Sequence, residues 1–375
     1  MKKLRIVVAD ENLDYVESLA SYLRTAEESS RFIVTYFTST EKLELYLDQG
    51  ESIDILLISP GIYHTNLKVL NDTSFIFLDD DKLTAGSTEH NSVYRYQRLG
   101  QLVSNMLAIY YDRNQTAGKY LARSKQTKVL SVYSPVGGAG KTTIAVNLSK
   151  QLALNNAKVF YLNLELINTT SLYFSSSEDN PSLQIFYYVK AESPQLLSKI
   201  EALKKYDPYS MVDYFDIEIN ADELLEFNES DVKRLINGIV ETGSYDYIVI
   251  DLDSSLHERN IAALKESDQV IWPVANDVQS MLKTESFFEE EEKLVGKENI
   301  IKDKLLILQN KYLDTGLRTT NDYSIVIEGN LPFIENWLTT QSSIEILGND
   351  LFNQELQGII QSKIITGGRS ATSIG

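Results

Sequence analysis

The stretch "YSPVGGAGKTT", residues 133–143, decides how the rest of the chain is read. In front of it, "KVLSVYS" (128–134) is a short apolar run of strand character. Behind it, "KTTIAVNLSKQLAL" (141–154) reads as a helix whose apolar positions include Ile144, Val146, Leu148 and Leu152. A strand, a glycine-rich turn and a helix in that order make a cradle for phosphate. Gly137, Gly138 and Gly140, with Ala139 between them, let backbone N–H groups approach phosphate oxygens that a Cβ would hold off. The helix N-terminus adds its partial positive charge. In this pattern Lys141 reaches β- and γ-phosphates, the Thr142 hydroxyl ligates Mg²⁺, and Thr143 bonds a phosphate nearer the ribose. Pro135 stands where the general pattern G-x-x-x-x-G-K has its first glycine.

Two further stretches belong with the loop. In "SYDYIVIDLDSS" (244–255) an apolar strand delivers Asp251 to its carboxyl end, where an open α/β sheet places its ligands and where a carboxylate can hold Mg²⁺ through water. In "KVFYLNLELIN" (158–168) another strand leads into Asn163 and Glu165, a position from which a side chain can orient an attacking or metal-bound water. Lys141, Glu165 and Asp251 are the candidate catalytic residues, and Thr142 and Asp251 the candidate metal residues.

The chain has 375 residues, which suits two domains, and its 43% hydrophobic and 23% charged content is that of a globular protein. It has no cysteine, so disulfides, thiolate zinc sites and iron–sulfur ligation are excluded. His64, His90 and His257 lie too far apart in sequence to suggest a metal cluster. A net charge of −18 opposes binding along a nucleic-acid backbone and resting on an anionic lipid surface. The apolar run in "MKKLRIVVADENLDY" is too short for a signal sequence and no stretch approaches a membrane span, so the expectation is a cytoplasmic protein without membrane insertion.

Strand and helix signals alternate from the start. "LRIVVA" (4–9), "RFIVTYF" (31–37), "SIDILLIS" (52–59) and "TSFIFL" (73–78) read as strands, and "SVYRYQRLGQLVSNMLAIYY" (92–111) as a short strand entering a helix. This predicts an α/β domain over 1–112, a polar linker over 113–127, a second α/β domain with a mostly parallel sheet over 128–361, and a flexible tail over 362–375. "FFEEEEKL" (287–294) reads as a solvated helix face. The segment 171–235 holds helical pieces and many aromatics and yields no assignment.

"SPVGGAGKTT" resembles the phosphate loop of the ParA/MinD group of partitioning and cell-division-site ATPases, whose usual form reads K-G-G-x-G-K-T-T. The resemblance extends through most of 128–361. It implies that Asp251 is the second acidic motif, that Asn310 in "LLILQNKY" contacts adenine, and that Leu331, Pro332 and Phe333 in "IEGNLPF" pack on the base. It also implies ATP and Mg²⁺ as cofactors and a homodimer closed on them. Val136 replaces the family's extra lysine, which crosses to the partner's phosphates. The family's D-x-D-P appears as Asn163-Leu164-Glu165-Leu166, and Leu252-Asp253 stands for its Thr-Pro. ATP binding is therefore expected to survive, with hydrolysis slow or absent.

The front domain resembles a response-regulator receiver (flavodoxin-like), with Asp10-Glu11 as the acidic pair. Ser59 stands at the phosphoacceptor position, Asp79 or Asp80 replaces a threonine, and Arg95 lies near the expected lysine. Serine forms no acyl phosphate, so the domain is expected to serve for contacts. A degenerate receiver followed by an altered ParA/MinD-like ATPase is similar to the TadZ/CpaE family, which localises tight-adherence (Flp-type) pilus assembly machinery, often at a cell pole. That resemblance implies pilus or secretion assembly proteins as partners of the receiver-like domain. The alternatives are an active partitioning ATPase that binds DNA and a regulator gated by phosphorylation of the front domain, with Asp10 or Asp54 as acceptor.

Overall fold

The computed structural model describes residues 3–25, 31–65, 67, 72–81, 91–114, 127–176, 182–217, 221–296, 301–313, 325–340 and 342–366. The chain forms two compact units. The first comprises Met1–Gln126 together with Ala191–Ala202 and Gly238–Gly243. Among the described residues it is built on five strands: β1 (Leu4–Ala9), β2 (Phe32–Phe37), β3 (Ile55–Ile58), β4 (Ser74–Asp79) and β5 (Ser92–Tyr94). All pair in parallel in the order β2-β1-β3-β4-β5, the doubly wound order in which ligands lie beyond the carboxyl ends of the strands.

Alternation along β1 explains why both sheet faces are covered. Ile6 and Val8 enter one core with Leu19, Leu23, Ile76 and Met106, while Val7 and Ala9 enter another with Leu43, Leu56 and Ile58. The helix Leu13–Leu23 starts where the Asn12 side chain accepts from the Tyr15 amide. The two later segments join this unit through side chains spaced far away in sequence. Leu197 packs against the first of those cores, and the buried Tyr111 hydroxyl donates to the Thr242 carbonyl at 2.9 Å. The observed units thus depart from the expected uninterrupted 128–361.

Among the described residues the second unit carries eight strands: β6 (Lys128–Val132), β7 (Val159–Asn163), β8 (Lys205–Asp207), β9 (Val212–Tyr214), β10 (Tyr247–Asp251), β11 (Gln269–Ala275), β12 (Leu305–Tyr312) and β13 (Gly329–Pro332). Their order is β13-β12-β11-β6-β10-β7-β9-β8, and only the β8–β9 pair is antiparallel. β6 sits at the switch point, with β10 and β7 on one side and β11 to β13 on the other. Near-continuous apolar runs in β6, β7, β10 and β11 follow from burial on both faces. Register brings Asp251 level with Val132 on one side and Asn163 on the other, so three strand ends open onto one place.

Several expectations need correction. The polar linker expected over 113–127 is shorter, since Arg113 ends the helix Leu99–Arg113, and Thr127 is buried with its hydroxyl on the Tyr245 carbonyl. Residues 115–126 lie outside the described ones. Of the tail expected over 362–375, the first residues are helical: a π-helical turn over Ile360–Ile365 buries Ile360 and Ile364 and continues the apolar stripe of the helix Asp350–Ile359. Residues 367–375 and His90 lie outside the described ones. The charge run at 287–294 is not all solvated: Phe287 packs edge-on against Trp272, and the buried Glu291 carboxylate accepts from the Lys302 amide at 2.8 Å. In the segment 171–235, Phe174, Phe186, Tyr214, Phe215 and Phe227 are core residues. No helix among the described residues is long and apolar enough to cross a membrane.

Candidate functional site

The loop between β6 and the helix Lys141–Leu154 has the backbone its glycines allow. Gly138 and Gly140 take φ of +74° and +91°, conformations that side-chain-bearing residues rarely adopt. Gly140 is the helix N-cap and offers no side chain to the first amides, which leaves those N–H groups for an anion. Gly137 and Gly138 are exposed, with open space where a Cβ would stand. Ala139 is buried.

Lys141 is 8% exposed, and its ammonium donates to Ser254 Oγ at 2.6 Å and the Val136 carbonyl at 3.5 Å. Burial lowers its pKa, with Asp251 and Glu165 acting in the opposite sense. Reading of the sequence misses Ser254; its position three residues past the end of an acidic strand is the available signal. Thr142 donates to Glu165 Oε2 at 3.3 Å. Burial pushes the Glu165 carboxyl up, against the pull of the Lys141 charge. Asp251 is fully buried and raised well above the ordinary carboxylate range, by burial first and then by the neighbouring Glu165. The structure therefore brings Lys141, Thr142, Glu165 and Asp251 together.

Asp251 Oδ2 accepts from the Tyr161 hydroxyl at 2.9 Å, whereas Oδ1 is buried with no hydrogen-bond partner. A buried carboxylate oxygen left so is costly unless a cation or its bound water faces it. Among the described residues no cluster of three His, Asp or Glu side chains could hold a metal by itself. The donor set fits a magnesium ion held jointly by Thr142, by Asp251 and by phosphate oxygens.

The residues expected at the base behave differently. Asn310, 4% exposed, donates its amide to the Ala139 carbonyl at 2.8 Å. A Cβ on Gly140 would fall 2.1 Å from that amide nitrogen. Asn310 thus braces the loop through its amide. Lys311, at φ +56°, donates to the Gly138 carbonyl at 2.9 Å, and the β12–β13 register shifts between Gln309 and Tyr312. Leu331 is fully buried in the core with Leu308 and Ile359, because β13 alternation turns it inward. Pro332 and Phe333 are half-buried. Thr143 accepts at its carbonyl from the Asn147 amide. Arg259, 1% exposed, ties the two acidic loops together: its Nε donates to the Leu164 carbonyl at 2.8 Å and its Nη2 pairs with Asp253. Asp253 therefore serves structure, and the sum of Ser255, Arg259 and Asn260 holds its pKa below the usual range against burial.

The first unit has its own polar pocket at the strand ends. Arg95 Nη2 donates to Asp10 Oδ1 at 2.6 Å and Nη1 to Asp80 Oδ1 at 3.3 Å, with the guanidinium over the rings of Tyr15 and Tyr96. Ser59 is 4% exposed with its hydroxyl unpaired.

Residues 127–312 match the AAA domain family. An uncharacterized protein of Methanocaldococcus jannaschii is 30% identical over 199 residues, spanning 49% of this chain and 73% of that protein. The chain is a relative of that archaeal protein. Solved structures place about two thirds of it in the fold of the ParA/MinD ATPases. A ParA family ATPase from Chlorobium tepidum superposes with a TM-score of 0.51 at 18% identity, covering 63% of this chain and 98% of that one. The septum site-determining protein MinD from Pyrococcus horikoshii, solved with Mg-ADP, superposes with a TM-score of 0.50 at 16% identity, covering 66% and 100%.

Proposed function

We propose that the chain is an ATP–Mg²⁺-binding switch, dimeric when loaded, that positions or assembles tight-adherence (Flp-type) pilus or secretion machinery and turns ATP over slowly or not at all. One observation carries the reading: a complete phosphate cradle stands beside an uncharged Val136 and a Glu165 already engaged with Thr142.

The amides at the helix N-terminus bind and orient the phosphates, and Lys141 exchanges Ser254 and the Val136 carbonyl for phosphate oxygens. Thr142 and Asp251 would hold Mg²⁺, which when bound neutralises phosphate charge. Glu165 lies where a water would be oriented, and its carboxylate already accepts from the Thr142 hydroxyl at 3.3 Å, which holds it away from a free attacking water. Val136 offers no cation to a facing copy. Nucleotide then acts by binding one form of the chain more tightly than the other.

In the first unit the Arg95 guanidinium fills the acidic pocket and Ser59 replaces the phosphoacceptor, which supports a contact role without phosphoryl transfer. The pilus assignment and recruitment to a cell pole rest on the order of the two modules alone. Lys141→Ala is expected to abolish ATP binding in titration calorimetry; unchanged affinity overturns the assignment.

A further inference from the structure

Asn163 departs from the acid that the resemblance expects, and the neighbouring hydrogen bonds give that departure a purpose. The Glu165 amide donates to Asn163 Oδ1 at 2.8 Å, Asn163 Nδ2 donates to the Tyr161 hydroxyl oxygen at 3.2 Å, and the Tyr161 hydroxyl donates to Asp251 Oδ2 at 2.9 Å. Every donor in this series points the same way, from the Glu165 backbone toward Asp251. Tyr161 is fully buried, Asn163 is 4% exposed and Asp251 is fully buried, so water offers these groups no substitute partner.

Only an amide at 163 completes the series. An ionised carboxylate there could accept from the Glu165 amide but has no hydrogen for Tyr161. The single Tyr161 proton would then face two acceptors, that carboxylate and Asp251, and one of them would go without. We infer that Asn163 and Tyr161 are positioning residues: they commit the Tyr161 proton to Asp251 Oδ2 and so keep the unpaired Oδ1 presented on the Thr142 side, for Mg²⁺ or its bound water. Position 163 is accordingly not a metal-site acid that this chain has lost. This rests on the nucleotide-binding reading above and deepens it.

The test measures ADP affinity by calorimetry with Mg²⁺ and with chelator, for the full chain and for Asn163→Asp, Tyr161→Phe and the double variant. Partners of this kind are worth roughly ten- to a hundredfold in metal affinity. In the wild type Mg²⁺ tightens ADP binding. Asn163→Asp is expected to cut that gain about tenfold, the lower end of this range, while metal-free ADP affinity stays within about twofold. Tyr161→Phe is expected to do the same, and the double variant to lose no more than either single one, because the series fails as a unit. A merely lost acid predicts the opposite sign, since restoring the carboxylate would strengthen the Mg²⁺ gain. That result, an unchanged gain, or additive losses overturns the inference. Unchanged metal-free affinity in the variants shows that they are folded. A wild type that binds no ADP overturns the nucleotide reading and the inference with it, whereas a wild type that binds with an Mg²⁺ gain leaves the inference to stand or fall on the variants.

Discussion

At the scale of single residues, two positions carry strain or charge that only their neighbours justify. Gly140 combines φ +91° with the Asn310 amide where a Cβ would lie. Gly140→Ala is expected to destabilise by about 1–3 kcal/mol through backbone strain alone and to weaken nucleotide binding as the loop shifts; urea unfolding and calorimetry check the two effects. Arg95 is the second case. Asp10 is 1% exposed, and burial raises its pKa even with Arg95 at 2.6 Å. Arg95→Ala leaves that carboxylate buried without its ion-pair partner, a change expected to cost about 3–5 kcal/mol at neutral pH. The pH dependence follows in sign. Without Arg95 the folded pKa of Asp10 rises further above its unfolded value, so the folded variant holds the proton through that window and loses stability as pH rises across it. The deficit against the wild type should therefore shrink as pH is lowered; urea unfolding at neutral and acid pH shows it, and a deficit constant with pH contradicts the pairing.

At the scale of elements, the strands that carry the site are readable because burial on both faces forces unbroken apolar runs; Asp251 ends one, Glu165 follows another, and Lys141 and Thr142 open the helix after the third. What the sequence could not show depends on partners far along the chain. Tyr161 is an ordinary apolar-strand residue until the fold sets it against Asp251, 90 residues away. Asn310 gives no sign in the sequence of bracing the loop until the end of β12 places its amide under it. The three-residue β8 and β9 are too short to show alternation, and their segment yields no assignment for that reason. Leu331 shows the same limit from the other side: a motif match gives a place along the chain, while strand alternation decides which way the side chain faces. The loop itself predicts a further outcome. Val136→Lys supplies the missing cation, and in a loaded dimer it is expected to raise phosphate release about tenfold or more. No rise with the dimer intact would place the cause of slow turnover elsewhere, at Glu165 first.

At the scale of the whole molecule, two α/β units share one chain, and the first takes in two segments from within the span of the second. Each has its polar site at the carboxyl ends of parallel strands, where doubly wound sheets place ligands. In the second unit that site is a phosphate cradle; in the first, an arginine already occupies the corresponding acidic pocket. In the proposed reading nucleotide governs association while the first unit makes contacts without phosphoryl transfer. The most direct measurement is light scattering of the full chain with and without ATP–Mg²⁺, with phosphate release followed in parallel. The account predicts a doubling of mass on ATP–Mg²⁺ with little phosphate released. A monomer that stays monomeric with ATP bound, or rapid release from the wild-type chain, would contradict it.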